Sequence, residues 1–268
     1  MSWSSLQMTL PTFSYLTQTA VQAALNAGEI LKKAFGTTFE ISLKPGHQNF
    51  VTEFDKQSEK IILEMITREF PSHCILAEES GYYSPSDADK DYLWIIDPLD
   101  GTTNFSHHLP VFAISIAVCY QNKPISGVIY QPITNELFVT EKGIGAYLNN
   151  KPLTVSSTTK IDHALIFAGM PYGDNVKAEL KYMEDIYLSG SIFRNLGSAA
   201  LALAYVAAGK VDACWVYNVY PWDFAAGQLL IEEAGGFLKH TQLTEDFNKP
   251  SHILASNPHL YPLLESRF

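Results

Sequence analysis

The chain has 268 residues, 47% of them hydrophobic, and a formal charge of −10 from 18 basic and 28 acidic side chains. That length holds one large domain or two closely joined halves, with enough apolar residues for a sizeable core. The acidic balance argues against a broad nucleic-acid or anionic-membrane surface, which needs clustered Lys and Arg.

The elements follow from periodicity. Phe13, Leu16, Ala20, Ala23, Ala24, Ala27, Ile30, Leu31 and Ala34 recur at helical spacing, with Gly36 as the stop. Phe39, Ile41 and Leu43 alternate as a strand that Lys44-Pro45-Gly46 ends. Thr52 precedes a helix carrying Ile61, Ile62, Met65 and Ile66, and Thr52-x-x-Asp55 approximates a capping box. Cys74 to Ala77 reads as a buried strand delivering Glu78 and Glu79, and residues 80–90 as a polar, exposed loop.

The run Tyr92-Leu93-Trp94-Ile95-Ile96 reads as a second buried strand, followed by Asp97-Pro98-Leu99-Asp100-Gly101-Thr102-Thr103-Asn104-Phe105. Two carboxylates thus stand just past a strand. Pro98 fixes φ, Gly101 permits a backbone geometry closed to other residues, and Thr102 to Asn104 offer a helix N-cap. Such a junction can hold hard cations on its acids and a phosphate on its N–H groups. His107 and His108 read as exposed loop residues.

Phe112 to Tyr120 alternate as a long strand, and 127–130, 137–140 and 145–148 continue the sheet, with Asn149-Asn150 as a hairpin turn. A second half opens near Val155. It holds a helix over 176–188, a strand ending at Arg194, and an alanine-rich helix from Gly197-Ser198-Ala199 to Gly209. A strand over 211–216 and a helix from Trp222-Asp223 to Ala234 follow, and Asn257-Pro258 caps a last helix. Alternating blocks of sheet and helix, without a regular βαβ repeat, predict layered α/β architecture.

Cys74, Cys119 and Cys214 lie in apolar runs without metal-ligand spacing, as buried thiols of a reducing compartment would. The N-terminal stretch has no basic residue before Lys32, and the longest apolar run, 199–208, is too short to cross a bilayer. The expectation is a soluble cytoplasmic protein.

The string from Asp97 to Phe105 resembles the signature of the inositol monophosphatase family, magnesium-dependent and lithium-sensitive phosphomonoesterases. Val51-Thr52-Glu53-Phe54-Asp55, Glu78-Glu79-Ser80 and Pro221-Trp222-Asp223-Phe224-Ala225-Ala226-Gly227 resemble its other motifs, in the same order. The resemblance implies a five-layer αβαβα sandwich over 1–268, with most metal ligands in 1–154 and substrate-side residues plus Asp223 in 155–268. It implies two or three Mg²⁺ per site. Glu78, Asp97 and the Leu99 carbonyl would bind one ion, and Asp97, Asp100 and Asp223 a second. Glu78 would share a third, weaker ion through waters. The donor set holds no Cys or His, which disfavours zinc.

By the same resemblance, Thr102 polarised by Asp55 would position a metal-activated water for in-line attack, with no covalent intermediate. The N–H groups of Gly101 and Thr102 would cradle the phosphate, with Lys44 near the site. Gly197, Ser198 and Ala199 would face the substrate, as would the family's glutamate seven residues before Asp223. Here that position is Val216, which cannot accept a bond from a sugar hydroxyl. Inositol monophosphate therefore ranks first and another sugar or polyol phosphate second, such as fructose 1,6-bisphosphate or histidinol phosphate. 3′-Phosphoadenosine 5′-phosphate ranks lower, since Thr103-Asn104 is not the Lys-Glu usual in that branch. A regulatory homologue that has lost catalysis is the competing reading, and a homodimer is expected.

Overall fold

The computed structural model describes residues 11–43, 50–170, 176–240 and 249–266. Lys44 and its neighbours Pro45 and Gly46 lie outside them. The chain order begins α1 (Tyr15–Ala34), β1 (Ile41–Leu43), β2 (Phe50–Thr52), α2 (Glu53–Glu69), β3 (His73–Ala77), β4 (Gly81–Tyr83), β5 (Asp89–Asp100) and α3 (Thr102–Ser106). Five sheet strands follow: β6 (Ala113–Tyr120), β7 (Lys123–Gln131), β8 (Glu136–Glu141), β9 (Gly145–Leu148) and β10 (Lys151–Pro152). After a 3₁₀ turn come β11 (Leu165–Ala168), α4 (Val176–Leu188), β12 (Ile192–Arg194), α5 (Ala199–Ala207), β13 (Ala213–Val219), α6 (Pro221–Glu233), β14 (Phe237–His240), β15 (Ser251–Ser256) and α7 (Tyr261–Glu265).

Two sheets carry the architecture. The larger has the order β10-β9-β8-β7-β6-β5-β3-β4, with β3 and β5 parallel and the other neighbours antiparallel. The smaller has the order β12-β11-β13-β15-β14, parallel across its first three strands and antiparallel across the rest.

Strand side chains alternate faces, and both faces of the large sheet are covered. Ile75, Trp94, Ile96, Ile114, Ile116 and Val128 point into one core with α1 and α2. Their neighbours Cys74, Leu93, Ile95, Ala117 and Ile129 point into the opposite core with α5 and α6. This is why β5 reads as an unbroken apolar run. A third core of Ile186, Trp215, Leu254, Leu260 and Leu264 joins the outer face of the small sheet to α4 and α7. The layers are therefore α1/α2, large sheet, α5/α6, small sheet, α4/α7: the αβαβα order.

Several local expectations change. Residues 80–90 contain β4, whose residues Gly81 to Tyr83 pair with Ala77 to Ile75 at the sheet edge. The aromatic pair Tyr82-Tyr83 suits that edge. The strand expected over 211–216 is displaced to Ala213–Val219. The last helix begins at Tyr261. Asn257 instead closes a turn, its Oδ1 accepting from the His259 and Leu260 N–H groups at 2.9 Å each. All three cysteines are buried and free, and burial pushes the Cys119 and Cys214 thiols up to about 12. Among the described residues no helix is long and apolar enough to cross a membrane.

The middle layer is tight. A Cβ on Gly227 of α6 would lie 2.6 Å from Leu203 Cβ of α5, so the two helices approach through this glycine. Gly227→Ala should lower the unfolding free energy by about 1–3 kcal/mol through overpacking. A lowered urea midpoint at unchanged denaturant slope is the expected reading.

Candidate active site

β5 does not stop at Ile96. It continues through Asp97-Pro98-Leu99-Asp100, with a register shift against β6 between Asp97 and Asp100. Pro98 has no N–H for the ladder, and the irregularity falls where it stands. Asp97 pairs with Ser115 and Asp100 with Ala113, yet both carboxylates reach one place. Both residues are buried, Asp97 at 1% exposure.

Asp223 arrives from α6, where it is the third helical residue and accepts from the Tyr220 N–H at 2.6 Å. Asp97, Asp100 and Asp223 each place a carboxylate oxygen within 4.8 Å of the others. Glu78 opens the turn after β3, with its N–H donating to the Ile96 carbonyl at 3.1 Å. Its charge acts on both Asp97 and Asp223.

The electrostatics follow from this crowding. Burial, then repulsion from Glu78, Asp100 and Asp223, holds the Asp97 carboxyl well above the usual carboxylate range. Asp223 is raised by burial and by Asp100. Asp100 is raised by burial, against bonds from α5: Ser198 Oγ donates at 2.5 Å, and the Ala200 N–H at 2.7 Å. An oxygen-only donor set of clustered carboxylates fits a hard divalent cation, whose charge would relieve that repulsion.

Beside the cluster, Gly101 caps α3 with φ +93°, a conformation L side chains rarely adopt. The cap is therefore this glycine rather than a side chain of Thr102, Thr103 or Asn104. The Thr102 hydroxyl has two acceptors in reach, Asp55 Oδ1 at 2.9 Å and the Leu99 carbonyl at 3.0 Å. Asp55 also accepts from the Thr52 N–H at 2.7 Å and its hydroxyl at 2.6 Å, completing the expected capping box. All of these partners are donors, which serves the ionised carboxylate although burial raises its pKa.

A cavity of about 260 Å³ adjoins the cluster through Ser198. Gly197, Ser198 and Ala199 line it, together with Phe167, Met170 and Val216. Val216 lies on β13, where its Cγ1 is 3.0 Å from the position a Cβ on Gly169 would take.

A model of the inositol monophosphatase family matches residues 13–267. The chain belongs to the inositol monophosphatase family. The Nus factor SuhB of Pseudomonas aeruginosa is 37% identical over 263 residues, spanning 92% of this chain and 97% of that protein. The inositol-1-monophosphatase of Mesorhizobium japonicum is 40% identical over 251 residues, spanning 91% and 92%. The crystal structure of the extragenic suppressor protein suhB from Bartonella henselae superposes with a TM-score of 0.87 at 39% identity, covering 95% of this chain and 98% of that one.

Within this family frame, the sequence reading missed three residues. Asn104 does not cap α3; its Nδ2 lies 2.7 Å from the Val111 carbonyl and 2.9 Å from the Leu196 carbonyl, tying the motif to the segment before α5. Ser58 donates to the Pro98 carbonyl at 2.8 Å. Glu59 accepts from the Glu79 N–H at 2.9 Å. The only signal for the last two was two polar residues on the inward face of an amphipathic helix. His107 and His108 are exposed, as expected.

The raised carboxyls carry a pH consequence. Between the ordinary carboxylate range and the folded-state value, the folded protein holds protons that the unfolded chain has released. Stability of the metal-free protein then falls as pH rises through that window. Asp97→Asn removes one such group while keeping the acceptor for the Leu99 N–H, now 2.9 Å from Oδ1. In chelator the variant should melt above wild type at neutral pH, with the gap closing toward about pH 5. Differential scanning calorimetry measures this; a variant that melts below wild type throughout would contradict it.

Proposed function

We propose that this chain is a Mg²⁺-dependent phosphatase acting on a small phosphate monoester, with inositol monophosphate first and another sugar or polyol phosphate second. The observation that carries the reading is the convergence of Asp97, Asp100 and Asp223, with Glu78 pressing on two of them. Residues 1–268 would form one catalytic unit, in a cytoplasmic homodimer. Glu78, Asp97 and the Leu99 carbonyl would hold one ion, and Asp97, Asp100 and Asp223 a second, with Glu78 sharing a third. Bound there, the ions supply charge neutralisation for the phosphoryl group and lower the pKa of a coordinated water.

The chain's own residues do the rest. Thr102, donating to Asp55, keeps its oxygen lone pairs to accept from the attacking water. The water oxygen forms its bond to phosphorus as the ester bond breaks, and a proton passes to the departing alkoxide. The Gly101 and Thr102 N–H groups, opening α3, would receive the phosphate oxygens. Gly197, Ser198 and Ala199 would border the leaving alcohol in the cavity, with Val216 as its apolar wall.

A regulatory role is a second reading, favoured by relatives that carry the name Nus factor SuhB. Phosphate release from a panel of esters, with Mg²⁺ and with or without lithium, separates the two. Turnover that needs Mg²⁺ and falls in lithium is expected, and its absence from every ester would favour regulation alone. Asp97→Asn should lower kcat/KM by roughly a thousandfold, about 4 kcal/mol of transition-state stabilisation. Wild-type turnover in that variant would refute the assignment. Val216→Glu should shift preference toward inositol monophosphate over fructose 1,6-bisphosphate, read as the ratio of kcat/KM values.

A further inference from the structure

One face of α2 is polar where it should be apolar. Asp55, Ser58 and Glu59 stand at i, i+3 and i+4, on the side that carries Ile62 and Ile66 into the core. All three are buried, with Glu59 at 4% exposure. Packing alone would choose apolar residues there, since a buried carboxylate is retained only where it is well bonded.

Each of the three side chains grips a different segment of the site. Asp55 holds the Thr102 hydroxyl at 2.9 Å, Ser58 donates to the Pro98 carbonyl at 2.8 Å, and Glu59 accepts from the Glu79 N–H at 2.9 Å. Ser80 stands beside the same carboxylate and, with the Glu79 N–H, opposes the rise that burial gives Glu59. Glu78 is therefore fixed from both sides: its own N–H is on the Ile96 carbonyl, and the next N–H is on Glu59.

We propose that the buried polar face of α2 is the jig that spaces the acids of the site, with Glu59 as the positioning residue that aims Glu78 at the cluster. Glu59 touches neither ester nor ion and acts only through the turn 78–80. The inference deepens the metal-dependent reading and rests on it. It adds that the affinity for Mg²⁺ is set partly by a carboxylate outside the donor set.

The test compares Glu59→Asp, which keeps the charge but is one methylene too short to reach the Glu79 N–H, with Glu59→Gln, which keeps an acceptor at full length. Mg²⁺ binding is read by isothermal titration calorimetry and by the Mg²⁺-induced rise in melting temperature, independent of turnover. Glu59→Asp should weaken Mg²⁺ binding about tenfold or more, as loss of outer supports of metal ligands does. Glu59→Gln should stay within about threefold of wild type. At saturating Mg²⁺ the KM for the ester should stay within about twofold of wild type in both. A folded Glu59→Asp that binds Mg²⁺ like wild type would overturn the proposal, even if its metal-free melting temperature falls. Should Glu59→Asp not fold, exposed Ser80→Ala, which strips one support from Glu59, must weaken Mg²⁺ binding measurably; unchanged affinity would overturn it. Wild type that binds no Mg²⁺ would instead overturn the metal-centre reading itself.

Discussion

The constraint on which this structure depends is the burial of like charges in one place. Asp97 and Asp100 are buried, and Asp223 and Glu78 press on the same space. Left alone, such groups would spread apart or take up protons. They are prevented from spreading by backbone. Asp97 is held by the Leu99 N–H, Asp223 by the Tyr220 N–H, and Asp100 by Ser198 and the first N–H groups of α5. In Asp97 and in Asp223 the bond engages one carboxylate oxygen, Oδ1 and Oδ2 respectively. The fold thus fixes a repulsive arrangement that a divalent cation would turn into an attractive one.

The middle helical layer makes that arrangement span the chain. α5 and α6 lie between the two sheets, and both send their N-termini to the end of β5. A helix N-terminus favours a carboxylate through its free N–H groups and its dipole. Asp223 satisfies its own helix as a cap, whereas Asp100 satisfies a helix from a hundred residues away. Asn104 closes the same seam from the other side by reaching the Leu196 carbonyl. The site is therefore assembled where the parts of the chain before and after residue 155 meet, and the close approach of Gly127 on β7 to the Ala226 backbone of α6 keeps that seam tight.

What was legible in the sequence divides along a physical line. The capping box of Thr52 and Asp55 was legible because both residues carry capping side chains and stand three residues apart. Asp97 and Asp100 were legible because their run is specific, and the alternating strands because both their cores are apolar. Glu59 and Ser58 were not, since their partners are a backbone N–H and a carbonyl at distances of 20 and 40 residues. Backbone groups are identical at every residue and leave no trace in the sequence. The N-cap of α3 was misassigned for a related reason: good capping side chains followed Gly101, but the positive φ at Gly101 decided the geometry.

The carboxylate cluster and the cavity beside it obey different rules. In the cluster, Asp97, Asp100 and Asp223 are each held by accepted hydrogen bonds. In the neighbouring cavity, Phe167, Met170 and Val216 are apolar residues of the wall. Packing tolerates exchange of side chains of similar volume, whereas a half-satisfied polar network does not. Val216 packs against Gly169, just past β11, so a longer polar side chain at 216 would have to turn into the cavity or displace Gly169. Ser198 stands between cavity and cluster: it lines the cavity that Val216 also lines, and it donates to Asp100 of the cluster.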